Sequence, residues 1–150
     1  MSASSPTPGR PAAEIEKGVV EVLWLSEADV AQLLPPRELL NALADGFRRL
    51  AEGRVQTPAR PEVRVPGLGF SLAMPAWAEG TNIAMKVVNV FDRNHELGLP
   101  SHLALISLFH ARTGVPLCVM DGTHITAVRT AGAAILSVRE LARQEEVSQR

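Results

Sequence analysis

Three cations stand where a cation is costly or restrained. In Ile83-Ala84-Met85-Lys86-Val87-Val88-Asn89-Val90-Phe91, strand alternation sets Lys86 on one face with Ala84, Val88 and Val90. Taking an ammonium out of water costs several kcal/mol unless an anion or hydrogen bonds replace its hydration. Lys86 therefore either reaches solvent or a distant acid from an edge strand, or it holds an anionic ligand. Arg129 poses the same question on a helix, with Ile125, Gly132, Ala133 and Leu136 at the spacings that share its side. It falls in the early turns, where exposed amides add positive potential for an anion. Its guanidinium can take a carboxylate or phosphate through two parallel hydrogen bonds, though a structural salt bridge fits the same pattern. Arg60 follows Pro58-Ala59 and precedes Pro61, and the two prolines restrict the backbone that aims it. Solvated arginines are common in loops, and the pattern alone leaves Arg60 as one of them.

Other chemistries find less support. A dinucleotide fingerprint needs G-x-G-x-x-G between a strand and a helix. Gly67-Leu68-Gly69-Phe70-Ser71-Leu72 lacks the third glycine and leads into no helix. No phosphate-binding Walker loop is present. His95, His102, His110 and His124 do not have the i, i+4 spacing of a helical zinc pair, so no metal site is expected. Cys118 lies in an apolar run and reads as a small packing residue.

The elements that must carry these residues can be read from period and punctuation. Val19–Leu25 is dense in β-formers and reads as a first strand. Ser26 with Asp29 three residues on resembles a helix N-cap, and Pro35-Pro36 stops that helix. Pro36 suits the first turn of the next helix, where Leu39, Leu40, Leu43, Phe47 and Leu50 form an apolar stripe and Gly53 closes it. Residues 62–65 and 70–74 flank Pro66-Gly67-Leu68-Gly69 as a hairpin. Strands are expected at 83–91, 103–109 and 115–120, and a helix from Thr123 to Leu141. Residues 1–18, rich in Ser, Pro and Ala, read as a disordered tail, and 142–150 as a polar end.

Composition bounds the rest. One domain fits 150 residues, and 46% hydrophobic with 21% charged residues is a globular balance. A net charge of −1 argues against nucleic-acid binding. A single cysteine forbids an intramolecular disulfide. Apolar runs fall short of the roughly 20 residues that span a bilayer. The N-terminus lacks the apolar core of a secretory signal, so a soluble, cytoplasmic α+β domain is expected, with neither nucleic acid nor membrane as partner.

Pro58-Ala59-Arg60, Met85–Phe91, Gly98-Leu99-Pro100-Ser101-His102, Thr113-Gly114-Val115-Pro116-Leu117 and above all Met120–Ala131 carry a further signal. In order and spacing these segments, from about Val22 to Leu141, resemble the N-terminal part of the ornithine cyclodeaminase/mu-crystallin family. The resemblance implies an α+β fold with a mixed or antiparallel sheet and flanking helices. It implies the substrate-binding and dimerisation domain (19–141) of a two-domain, NAD(P)-dependent homodimer that acts on an amino acid or cyclic imino acid. Arg60, Lys86 and Arg129 match the family's carboxylate-binding cations, and Ser101, Arg129 and Thr130 match positions beside the cofactor. A desolvated lysine has a lowered pKa, which adds proton transfer to the roles open to Lys86.

Members of that family are considerably longer. The Rossmann domain that would hold most of NAD or NADP, and with it the family's catalytic aspartate, is expected beyond this chain. The chain alone is therefore expected to turn nothing over. Cyclodeaminases, alanine dehydrogenases and ketimine or pyrroline-carboxylate reductases share the pattern. A non-catalytic, mu-crystallin-like binding or dimerising module, or an inactive truncated product, is the alternative.

Overall fold

The computed structural model describes residues 19–142. The tail expected at 1–18 and residues 143–150 of the polar end lie outside them. Seven strands, three α-helices and one 3₁₀ helix follow in the order β1 (Leu23–Leu25), α1 (Glu27–Leu33), α2 (Pro36–Ala51), β2 (Val55–Gln56), β3 (Glu62–Val65), β4 (Gly69–Ala78), β5 (Ile83–Val90), the 3₁₀ helix (Asp92–Leu97), β6 (His102–Phe109), β7 (Pro116–Asp121) and α3 (Thr123–Leu141). The fold is α+β, as expected.

One mixed sheet runs β1-β7-β6-β5-β4-β2, with β3 also paired to β4. All pairings are antiparallel except β1 with β7. The connections 79–82 (β4 to β5) and 110–115 (β6 to β7) are short, while β5 returns to β6 through residues 91–101, which carry the 3₁₀ helix. On one face Val88, Ala104 and Cys118 are buried beneath the helices. Gly122 brings α3 close to β6: its amide donates to the Ala104 carbonyl at 2.8 Å, and a Cβ there would lie 2.9 Å from Ala104 Cβ. Gly132 does the same between helices, since a Cβ would fall 2.7 Å from Leu43 Cδ1 of α2.

The opposite face is open. Register places Val63 with Ser71, Asn89 with Leu103, and Val87 with Leu105 on that side, and Trp24 with Val119. Val63, Trp24 and Leu105 are 68%, 61% and 47% exposed. An antiparallel sheet tolerates a solvated face when that face is polar; this one is largely apolar.

Several boundaries differ from expectation. The first strand is Leu23–Leu25 and not Val19–Leu25, because its parallel partner β7 begins at Pro116, which has no N–H to extend the ladder. Strand β4 continues past Met74 to Ala78, through Pro75. Ala73 donates its amide to the Pro61 carbonyl on the β3 side at 3.1 Å. Pro75, two residues on, turns its nitrogen to the same edge, in the gap between β3 and β2 where no ladder bond is lost. The two-residue β2 and the 3₁₀ helix, ended by Gly98 at φ 69°, have no counterpart in the periodic reading. The capping pair at α1 is present in full: Ser26 N donates to Asp29 Oδ2 at 2.9 Å and Asp29 N donates to Ser26 Oγ at 3.3 Å. The Ser26 hydroxyl, which donates to Asp29 Oδ2 at 2.6 Å, and then the Ser26 amide hold the Asp29 carboxyl below its ordinary pKa.

Candidate active site

Lys86 sits at the centre of the sheet, on the helix-bearing face. Its cross-strand partners are Met74 on β4 and Ile106 on β6, and the same row continues to Met120 on β7. Val88 and Ala104, on the same face one pleat repeat away, are buried. The half-buried amine thus projects from an apolar floor.

Arg60 reaches this place through the edge of β4. Both β2 and β3 pair with that edge, β2 at Trp77–Ala78 and β3 at Gly69–Leu72, so the intervening loop 57–61 must pass the gap between them. The Ala73–Pro61 bond pins the loop at the level of Met74, which is the cross-strand neighbour of Lys86. At the loop's start, Arg54 Nε donates to Glu79 Oε2 at 2.7 Å and Arg54 Nη1 to Glu52 Oε2 at 3.0 Å.

Arg129 arrives from above, on the second turn of α3. Packing through Ile125, Gly132 and Leu136 was the expectation for its own side. Gly132 and Leu136 are buried, but Arg129 is exposed. The glycine and leucine anchor α3 against α2, and the long arginine side chain leaves that seam for solvent.

The three cations converge. The Lys86 amine has its pKa lowered first by desolvation, then by the positive charges of Arg129 and Arg60. Among the described residues six ion pairs form, all between partners other than these three. Like charges held together beside an apolar floor lower their mutual repulsion by taking up an anion.

Beside them a cleft of 280 Å³ opens between α3 and the sheet, lined by Val88, His102, Ala104, Thr123, Thr126 and Ala127. Thr126 Oγ1 donates to the Gly122 carbonyl at 2.6 Å, and Thr130 Oγ1, one turn on, to the Thr126 carbonyl at 2.8 Å. Asp121, one residue before the N-cap Gly122, accepts from Thr123 N at 2.7 Å at the start of α3. Ser101 precedes the cleft-lining His102, and its carbonyl accepts from Phe91 N at 2.9 Å. Ser101 and Thr130 thus lie one residue before and one helical turn beyond residues that line the cleft. The cleft itself was missed in the sequence. The i, i+3 spacing of Thr123 and Thr126 was its available signal, but nothing local showed that this face lies over small Ala104.

A family model for the ornithine cyclodeaminase/mu-crystallin family matches residues 20–148. The chain belongs to this family. It is 36% identical over 125 residues to alanine dehydrogenase of Archaeoglobus fulgidus, covering 83% of this chain and 38% of that protein. To the ketimine reductase mu-crystallin of Mus musculus it is 36% identical over 111 residues, covering 73% and 34%. A solved Δ1-pyrroline-2-carboxylate reductase of Thermococcus litoralis, in complex with NADH and L-proline, superposes with a TM-score of 0.79 at 38% identity, covering 82% of this chain and 39% of that one. The chain thus spans less than two-fifths of the length of these cyclodeaminase-family relatives.

Proposed function

We propose that this chain is the substrate-binding and dimerisation part of an NAD(P)-dependent enzyme that acts on a small amino acid or cyclic imino acid. The observation that supports it is the convergence of Arg60, Lys86 and Arg129, without a carboxylate partner among the described residues. Each cation has its part. The two guanidiniums take the substrate carboxylate through paired hydrogen bonds and fix its plane. Lys86, lowered in pKa and set on the floor, holds the same carboxylate and exchanges a proton with the substrate nitrogen. Fixing the carboxylate orients the α-carbon, and such positioning is worth a large share of a rate enhancement.

The nicotinamide end of a cofactor fits the rim formed by Ser101, Arg129 and Thr130: these side chains offer a guanidinium and two hydroxyl oxygens beside an open helix face. No glycine-rich strand–turn–helix for a pyrophosphate occurs among the described residues, so the rest of a dinucleotide needs a further domain. When bound, the nicotinamide would supply or accept a hydride at the α-carbon. The relatives' names and the complex with NADH and L-proline favour this reading over a non-catalytic module. The open sheet face is the surface for a second copy, and one structural relative is described as a dimer with bound NAD.

The test is Lys86→Met in the enzyme carrying this domain, assayed with NAD(P)H and a panel of imino and 2-oxo acids. We expect kcat/KM to fall by several orders of magnitude, because a charge-assisted contact and a proton shuttle are lost together. Unaltered kcat/KM would remove Lys86 from the site.

A further inference from the structure

We propose that this site selects substrates with an uncharged side chain, seating the part beyond the α-carbon against Val88, Ala104 and Ala127, and that it discriminates against diamino acids. The inference rests on the carboxylate reading above and adds what lies on the far side of the α-carbon. Solved relatives cover both kinds of compound: one is in complex with L-proline, and another, a lysine cyclodeaminase, is described as recognising L-lysine, L-ornithine and L-2,4-diaminobutyric acid.

Two observations decide between them. The first is the wall. From Lys86 the helix-bearing face continues to buried Val88 and Ala104, and these line the cleft with Ala127 of α3. An alkyl chain or a small ring gains by leaving water there. The hydroxyl protons of Thr123 and Thr126 are already given to Asp121 and the Gly122 carbonyl. Their remaining lone pairs are neutral acceptors, which compensate a desolvated charge only in part.

The second observation is the sign of the field. A side-chain ammonium in this cleft would be a fourth positive charge beside Lys86, Arg60 and Arg129. Of the acids, Asp121 is the one at the cleft's helix end. Its carboxylate is already engaged, accepting from Thr123 N and Thr123 Oγ1. The α-ammonium is common to both substrate classes, so it does not enter the difference.

L-norvaline and L-ornithine share a carbon skeleton and differ by one terminal ammonium, which makes them the probes. Titration calorimetry of the full-length protein should give L-norvaline about 100-fold tighter than L-ornithine, the scale on which a site rejects a mismatched group. Ala127→Glu, at an exposed helical position, should narrow that ratio about tenfold by offering the ammonium an anion. Equal or tighter binding of L-ornithine would overturn the selectivity while leaving the carboxylate reading standing. A ratio unmoved by Ala127→Glu would overturn the placement in the cleft. Binding of neither compound, or L-norvaline binding that Lys86→Met leaves unchanged, would sink the carboxylate reading and this inference with it.

Discussion

At the scale of single residues, Lys86 carries the account, and its two readings have opposite signs. As a ligand for substrate, Lys86 is a desolvated cation that the empty fold tolerates, so Lys86→Met should leave the melting temperature unchanged or raise it. As half of a buried structural pair, its loss would abandon an anion and cost about 3–5 kcal/mol. The lowered pKa adds a pH dependence whose sign follows directly. The unfolded chain binds a proton at this lysine up to its ordinary value of 10.5, while the folded chain releases it earlier. Between the two values the unfolded state holds more protons, so stability from this group rises as pH rises through that window. Urea midpoints of the parent and Lys86→Met, compared from neutral pH to pH about 10.5, should draw together as pH increases if Met is the more stable at neutral pH. Parallel curves would place Lys86 in ordinary solvent.

At the scale of elements, the site depends on where α3 starts and on the gap in the β4 edge. Gly122→Ala would drive a Cβ to 2.9 Å from Ala104 Cβ and 3.2 Å from its backbone carbonyl carbon, neither of which can swing aside. We expect a loss of about 1–3 kcal/mol in chemical denaturation, with a drop in turnover as Arg129 shifts with the helix. Gly46→Ala is the contrast: it lies exposed in α2 with nothing within 4 Å, and should gain about 0.5–1 kcal/mol. If both variants behave alike, close packing at Gly122 is not what sets α3. These elements were largely legible in the sequence, because the stripe Leu39–Leu50 and the runs 83–91 and 103–109 carry strong periods. The alternation that put Lys86 with Ala84, Val88 and Val90 holds in the fold. What stayed hidden depends on pairing at a distance. Two residues, Val55–Gln56, make a strand only because Trp77 and Ala78 are there to receive them. Pro75 reads as a breaker until the gap beside it is known. The convergence of loop-borne Arg60 on Lys86 follows from that same gap, and Arg129's exposure from the anchoring of Gly132 and Leu136 instead.

At the scale of the whole molecule, the helices cover one face of the sheet and leave an apolar face on the other. Trp24, Val63, Val87, Leu103 and Leu105 are its exposed residues, and we propose that a second copy covers them. Sedimentation velocity should show a dimer that Leu105→Lys weakens at least about tenfold, with little change in the melting temperature of the monomer. A parent protein that stays monomeric across a wide concentration range would contradict this use of the face. Carboxylate binding by the Arg60, Lys86 and Arg129 group has a more direct test. The chain contains two lysines, Lys17 and Lys86, so ¹⁵N NMR of the side-chain amines gives two signals to follow with pH. The Lys86 signal should titrate below its ordinary value in the free protein, and saturating L-norvaline should raise that midpoint while Lys17 stays put, because an added carboxylate favours the ammonium form. A Lys86 midpoint at the ordinary value, unmoved by the amino acid, would contradict it.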